Sequence, residues 1–281
     1  MTTTESSRTV FERDGIVFPI PAVPPEKAAA YQACFAELEQ IADRPLGRVA
    51  HPAMHFGWAY RLATEPAVLD AVEEVLGPDL LIAGSLVLCK YPRDPAFVAW
   101  HQDNYYSNLH LTPSLSAWIA LRDSTTENGC MRVVPGSHRE GVLPHEEKGN
   151  ANNLLKQGQE IQVEVDEADA VEVVLRAGEM SLHHSAIIHG SRPNRSDTQR
   201  LGFIIRFVTS AYDLAGQQTP FILARGRAEQ GNLRLAPSPL ERPLAEAWAD
   251  YQRQPESGPR DFANPSVHTE EMQPRGLMKN V

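Results

Sequence analysis

The chain has 281 residues, of which 42% are hydrophobic and 22% charged, as in an ordinary globular protein. Its net charge of −10 disfavours nucleic acids and anionic membranes as partners, so we expect neither. The longest apolar run, Leu80–Cys89, is too short to span a bilayer, and the first residues lack the basic and apolar stretches of a signal peptide.

Cysteine usage points to a reducing compartment. Cys34, Cys89 and Cys130 are odd in number and widely spaced, which fits neither a disulfide framework nor a zinc ribbon. We interpret them as buried thiols and expect a cytoplasmic protein.

The first quarter of the chain is helical in pattern. One helix is predicted after Pro25, because apolar residues then recur at a helical period until Pro45. A second is predicted from Pro66 to the Gly77-Pro78 stop.

From Leu80 onward the pattern changes to short segments rich in branched and aromatic residues, separated by turn signals. They are LLIAGSLVLCKY, FVAW, LSAWIAL, MRVV, EIQVEV, AVEVVL, EMSLHH and RLGFIIRFV. Many short strands of this kind predict an antiparallel barrel or sandwich. The polar stretch His145–Gln159 is predicted to be a loop that acts as a lid, and a last helix is predicted near Pro243–Arg253. We expect one domain, with N-terminal helices over about residues 1–78, a β core over about 79–210, and a C-terminal helix and tail over about 211–281.

Three sequence features carry candidate chemistry. His101 and Asp103 follow the strand-like FVAW two residues apart, and at strand spacing they would share one face. His189 follows the strand-like EMSLHHSAII, and Arg200 opens the strand RLGFIIRFV.

Two histidines and one carboxylate on one face of an iron ion leave three coordination positions open. A 2-oxo acid can occupy two of them and O2 the third. The distant carboxylate of the 2-oxo acid then needs a cation, and an arginine fork suits it.

In series, the motifs WHQDNYY, WIAL, ENGCMRVVPGSHR and HGSRPNRSDTQR resemble the phytanoyl-CoA dioxygenase family over roughly residues 8–210. The resemblance implies a mainly β fold, a double-stranded β-helix (jelly-roll, cupin-like) core with flanking α-helices. It also implies Fe(II) as cofactor, with 2-oxoglutarate and O2 as co-substrates. By this resemblance His101, Asp103 and His189 match the iron ligands and Arg200 the 2-oxoglutarate anchor. The remaining matches, all to positions of the co-substrate pocket, are Ser191, Trp118 and Lys90.

Four other histidines compete with His189 for the distal ligand position. They are His138, His145, His183 and His184. The HGSRPNR context favours His189, and His138, within PGSHR, is interpreted as a residue that ties down a turn.

Candidate substrate contacts rest on strand alternation and on proximity to the metal motif. Arg206 shares the face of Arg200, although an exposed strand arginine is an equal interpretation, and Arg122 shares the face of Trp118. The residues after Asp103, namely Asn104, Tyr105, Tyr106 and Asn108, are placed to meet a substrate.

The predicted function is hydroxylation of a small organic metabolite, with a natural-product intermediate as one option. Asp103 argues against halogenation, because halogenases of the related branch carry a small residue at that position. Desaturation, ring closure and epoxidation stay open, as does a metal-binding protein without oxygenase turnover, although such a protein would not need Arg200. The sequence makes no prediction of oligomeric state.

Overall fold

The structure is a computed structural model that describes residues 5–105, 113–148, 150, 152–155, 158–210, 220–228, 233–239 and 242–253. Its helices are α1 (Ser7–Asp14), α2 (Pro25–Ala42), α3 (Pro52–His55), α4 (Gly57–Ala63), α5 (Pro66–Leu76) and α6 (Leu244–Arg253).

Thirteen strands lie in the described residues. They are β1 (Ile16–Pro21), β2 (Arg48–Ala50), β3 (Leu80–Lys90), β4 (Val98–His101), β5 (Ser114–Ala120), β6 (Met131–Val133), β7 (His145–Glu147), β8 (Gln159–Ile161), β9 (Val171–Val173), β10 (Glu179–His184), β11 (His189–Ser191), β12 (Arg200–Thr209) and β13 (Ile222–Arg225).

The strands form two main antiparallel sheets. The larger has the order β1-β10-β5-β12-β3-β13, with β2 paired to β3 beside it, and the smaller has the order β4-β11-β6-β9. Side chains of both sheets meet in a shared cluster that includes Trp118 and Ile204 from the larger sheet and Met131 and Val133 from the smaller. This is the double-stranded β-helix core with flanking helices that the sequence predicts.

Alternation along β12 separates a helix-facing side from an interior side. The odd-numbered residues, such as Phe203 and Ile205, belong to the core that packs against the helices. The even-numbered residues point the other way, toward the smaller sheet, and include Arg200 and Ile204. The two arginines of this apolar strand, Arg200 and Arg206, therefore face the same interior.

The two predicted N-terminal helices are confirmed as α2 and α5. In α2, Ala28, Tyr31, Phe35 and Leu38 are buried at the helical period, in the core cluster that also contains residues of the larger sheet. The helix ends at Ala42, because Asp43 takes a left-handed backbone conformation.

Besides β2, which pairs with β3, two strands of the larger sheet come from outside residues 79–210. The first, β1, contains two prolines, which a sheet tolerates at its edge, and β10 is its one partner among the described strands. The second, β13, pairs with β3 at the opposite edge. Neither segment shows the alternation by which strands are recognised.

The stretch His145–Gln159 differs from the predicted loop at both ends. Its first residues form β7, which pairs with β8 so that His145 lies opposite Ile161. Lys148 bridges Glu146 (2.7 Å) and Glu160 (3.2 Å) across this hairpin, and such opposite charges stabilise a short exposed strand pair.

No helix among the described residues is both long enough and apolar enough to cross a membrane.

Gly178 lies where the N-terminal segment is attached to the core. It has a φ of +90°, its carbonyl accepts hydrogen bonds from the amides of Ala22 and Val23, and an added Cβ would overlap the Val23 carbonyl oxygen. Gly141 also has a positive φ, +76°, but an added Cβ there meets no atom within 4 Å. Both alanine substitutions should therefore suffer the backbone strain of a positive φ, and only Gly178→Ala the additional overlap.

We expect Gly178→Ala to lower the free energy of unfolding by about 1–3 kcal/mol more than Gly141→Ala does. Urea denaturation of the two variants measures the difference. Equal losses would show that the contact with Val23 is absent or readily relieved.

Candidate functional site

Two histidines face each other across the smaller sheet. His101 is the last residue of β4 and His189 the first of β11, and the two are directly paired in the antiparallel register. Their ring centres lie 4.1 Å apart, and their exposed fractions are only 4% and 7%.

Backbone carbonyls fix the orientation of both rings. Nδ1 of His101 lies 2.9 Å from the Ala99 oxygen and 3.0 Å from the His189 oxygen, and Nδ1 of His189 lies 3.0 Å from the Ile187 oxygen. Because a carbonyl can only accept, each Nδ1 carries a hydrogen, which leaves each Nε2 as the ring atom available to a metal. Burial, followed by repulsion from His101, holds the pKa of His189 well below its usual range, so its ring is neutral.

Asp103 completes a cluster of three ligand-type side chains. It lies in the turn after β4 and brings Oδ1 to 3.8 Å from Nε2 of His101. The candidate ligand atoms of His101, Asp103 and His189 all lie within 4.8 Å of one another. Burial would raise the pKa of Asp103, but the charge of Arg206 and the imidazoles of His101 and His183 hold it well below the usual range.

Polar neighbours surround the Asp103 carboxylate on both oxygens. Arg206 donates from Nη2 to Oδ1 at 2.8 Å, and Ser116 donates from Oγ to Oδ2 at 2.8 Å. Nε2 of His183 lies 3.7 Å from Oδ2. The carboxylate is thus ionised and held by the larger sheet as well as by its own turn.

A pair of buried basic side chains forms the second part of the site. Arg200 and Lys90 are directly paired on β12 and β3, with exposed fractions of 2% and 0%. Burial lowers the pKa of Arg200 to about 10, and burial with repulsion from Arg200 lowers that of Lys90 to about 6. Nε and Nη1 of Arg200 have no hydrogen-bond partner among the described residues.

Trp118 and Ser191 lie beside Arg200 and Lys90, respectively. The Arg200 guanidinium carbon lies 4.8 Å from the Trp118 ring centre, in cation–π geometry. Lys90 donates from Nζ to Ser191 Oγ at 2.6 Å and also to the Arg192 carbonyl.

One cavity connects the three-residue cluster with the Arg200 guanidinium. Its polar lining consists of His101, Asp103, His183, His189, Ser191, Arg200 and Arg206, and its other lining residues are Leu86, Leu88, Val98, Trp118, Met131, Leu155, Ile204 and Gly190. Ligand-type atoms therefore border the same space as a buried cation that has no acidic partner in the part of the chain that the structure describes.

The wall that carries Leu155 is attached to the strand leading to His101. The Phe97 amide donates to the Asn152 carbonyl and the Leu154 amide to the Phe97 carbonyl, each at 2.9 Å. Arg48 donates from Nη1 to the Leu154 carbonyl at 3.0 Å. The predicted lid segment thus contributes the Leu155 side chain to the cavity, and a few contacts of its backbone hold it there.

The structure separates the predicted substrate residues. Arg206 lines the cavity with 36% of its side chain exposed, whereas Tyr105 stacks on His145 with ring centres 4.0 Å apart. The prediction that Arg122 shares the face of Trp118 is corrected, because β5 ends at Ala120 and strand alternation does not reach Arg122. Arg122 lines a separate surface groove. Tyr106 and Asn108 lie outside the described residues.

The competing histidines are resolved by position. His138 lies 3.2 Å from the Glu12 carbonyl and holds the end of α1, as expected for a structural residue. His145 accepts from the Gln102 amide, and His184 packs against the Phe11 ring. His183 alone of the four lies in the cavity, 5.0 Å from the His189 ring. Sequence identified His183 only as a rival of His189, because its proximity to Asp103 depends on its pairing with Ser116.

Comparison with known proteins gives the family. The model of the family described as phytanoyl-CoA dioxygenase (PhyH) matches residues 11–202. The phytanoyl-CoA dioxygenase domain-containing protein 1 homolog of Dictyostelium discoideum is 31% identical over 135 residues, which cover 45% of this chain and 46% of that protein. This chain spans less than two thirds of the length of the first curated relatives that it matches.

Solved structures share the fold over most of the chain. The apo structure of ThoJ, described as a non-heme monooxygenase, is 33% identical with a TM-score of 0.74, and the match covers 87% of this chain and 93% of ThoJ. CytC3, solved with Fe(II) and alpha-ketoglutarate, has the same fold at 21% identity and a TM-score of 0.59, covering 81% of this chain and 90% of CytC3. From the matched family model, this chain belongs to the phytanoyl-CoA dioxygenase family.

Proposed function

We propose that the protein is an Fe(II)- and 2-oxoglutarate-dependent dioxygenase that hydroxylates a small organic molecule. The observation that carries the proposal is the single cavity bordered by the His101–Asp103–His189 cluster and by the unpaired nitrogens of Arg200. A metal-binding protein without turnover would have no use for the second feature. The membership of the family and the ligands named for CytC3 support the same function.

The donor set fits ferrous iron. Nε2 of His101, Nε2 of His189 and Oδ1 of Asp103 would hold the ion through two neutral imidazoles and one carboxylate, the facial set that leaves three adjacent positions open. The carbonyls that bind both Nδ1 atoms keep the lone pairs directed at the ion. Iron bound there would supply O2 activation, with 2-oxoglutarate as the electron donor, and the products would be succinate, CO2 and the hydroxylated substrate.

The cationic end of the cavity fits the distant carboxylate of 2-oxoglutarate. Arg200 offers two nitrogens without partners, and its planar fork can donate two parallel hydrogen bonds to one carboxylate. Lys90 and Ser191 lie beside it, and an anion there would favour the charged form of Lys90. Trp118 covers the guanidinium and keeps water from the ion pair.

The position of Trp118 depends on a residue without a side chain. Gly202 is two residues after Arg200 on the interior face of β12, and an added Cβ would overlap the Trp118 ring. The ring can therefore lie close to the strand beneath Arg200 only because position 202 is glycine.

The remaining lining suits a small, partly apolar substrate. Leu86, Val98, Leu155 and Ile204 supply apolar surface, while Arg206 offers a polar contact near Asp103. Asp103 occupies the carboxylate position, so hydroxylation rather than halogenation is the proposed outcome. The three free cysteines suit a cytoplasmic location.

The first test concerns the metal ligands. Under anaerobic conditions, Fe(II) and 2-oxoglutarate should give the wild type the weak visible charge-transfer band of a chelated 2-oxo acid, and admission of O2 should then form succinate. His101→Ala and His189→Ala should lose both signals, because each removes one of three ligands. His184→Ala is the matched control and should keep them. If His189→Ala kept the band and His184→Ala lost it, the assignment of His189 as the distal ligand would be wrong.

The second test concerns the anchor. Loss of one partner of a buried charge pair costs about 3–5 kcal/mol, so Arg200→Ala should raise the KM for 2-oxoglutarate by roughly two to four decades. Arg200→Lys should recover only part of the affinity, because lysine lacks the two-pronged contact. Arg206→Ala tests the alternative anchor on the same face of β12. If Arg206→Ala raised the KM strongly and Arg200→Ala did not, Arg206 would be the anchor.

The third test concerns Gly202. We expect Gly202→Ala to lower the free energy of unfolding by about 1–3 kcal/mol through overpacking against Trp118 and to weaken 2-oxoglutarate binding. Gly202→Ala/Trp118→Phe should regain part of the stability, because the smaller ring leaves room. Gly47→Ala, where the nearest atom would lie 3.8 Å away, serves as control. Urea denaturation and titration with 2-oxoglutarate measure the effects, and a Gly202→Ala protein as stable as Gly47→Ala would contradict the prediction.

A further inference from the structure

The ring of His183 is buried without a hydrogen bond that accounts for its position. Its exposed fraction is 1%, and its Nδ1 has no hydrogen-bond partner among the described residues. Its Nε2 faces Oδ2 of Asp103 at 3.7 Å. A buried polar group without a hydrogen bond destabilises the fold, so a role in the site explains the residue better than packing does.

The contacts of Asp103 differ between its two oxygens. Oδ1 lies toward Nε2 of His101 and accepts from Arg206. Oδ2 accepts from Ser116 and faces His183. His183 and Ser116 are directly paired on β10 and β5, so neighbouring strands present both groups to the same oxygen.

We propose that His183 is a positioning residue that, together with Ser116, holds Oδ2 of Asp103 so that only Oδ1 binds the metal. The inference rests on the proposed function. A carboxylate free to rotate can bind a metal through both oxygens, which would occupy a further coordination position. With Oδ2 held by Ser116 and by Nε2–H of His183, that position stays open for the co-substrates. A small rotation of either side chain brings the 3.7 Å separation to hydrogen-bond length.

The geometry argues against His183 as a metal ligand itself. The cluster of ligand atoms within 4.8 Å of one another comprises His101, Asp103 and His189 and does not include His183. His184, the next residue, projects to the opposite face of β10, where it packs near Phe11 and His138. The adjacent histidine therefore provides a matched control.

The experiment titrates the 281-residue protein with Co(II), alone and with 2-oxoglutarate, by calorimetry and visible absorption. We expect His183→Phe to weaken Co(II) binding about 10- to 100-fold and to alter the visible spectrum as the carboxylate becomes bidentate. His183→Gln, which keeps an N–H donor near the position of Nε2, should recover most of the affinity and the wild-type spectrum. His184→Phe should match the wild type. Melting of the metal-free variants checks that each one is folded, and His183→Gln and Ser116→Ala keep the test decisive if His183→Phe does not fold.

Three results would overturn the inference. If His183→Phe kept the wild-type affinity for Co(II) and the wild-type spectrum, His183 would have no positioning role. A loss in His183→Phe as large as in His189→Ala, without recovery in His183→Gln, would make His183 a ligand. A wild-type protein that bound no Co(II) would overturn the proposed function and this inference together, whereas the first two results leave the proposed function intact.

Discussion

The antiparallel register between β4 and β11 is the constraint on which the candidate site depends. It sets His101 directly opposite His189, and the carbonyl of His189 itself lies beside Nδ1 of His101. A slip of one residue would turn one imidazole to the other face of the sheet and leave a single histidine in the cavity. The candidate site needs this register, because only then do both rings, their hydrogen bonds and the turn that presents Asp103 lie on the same side of the sheet.

Strand register in the larger sheet likewise places the side chains at the other end of the cavity. Its pairing of β12 with β3 sets Arg200 beside Lys90, where burial and the charge of Arg200 disfavour the charged form of Lys90 and two basic groups must be kept away from water. The fold tolerates this because the surrounding strands are apolar and continuous: β12 pairs along its whole length with β3 and over most of it with β5. Stability is thus supplied by the helix-facing residues of β12, such as Phe203, while its interior residues are released for binding.

Sequence was sufficient wherever the information is local. Helical periodicity predicted α2 and α5, and short apolar segments with turn signals predicted the β core. The ligand-type residues were found from motifs, since His101, Asp103 and His189 lie next to recognisable strand ends.

What sequence did not reveal depends on pairing between distant segments. The edge strands β1 and β13 lack alternation and are strands only because β10 and β3 offer them partners. The contact between His183 and Asp103 requires the register of β10 on β5, which no local pattern encodes. Arg122 was misplaced because alternation was extended past Ala120, where the strand ends.

The short attachment of the Leu155 segment has an evolutionary consequence. Residues 152–155 reach the cavity through contacts that are mostly made by the backbone, and backbone contacts do not depend on side-chain identity. Substitutions at Leu155 can therefore reshape one wall of the cavity while the strand register behind His101 is kept. If the proposed function holds, changes in this segment would alter which molecule fits the cavity and leave the His101–Asp103–His189 cluster in place, which makes it the natural first target for directed evolution of selectivity.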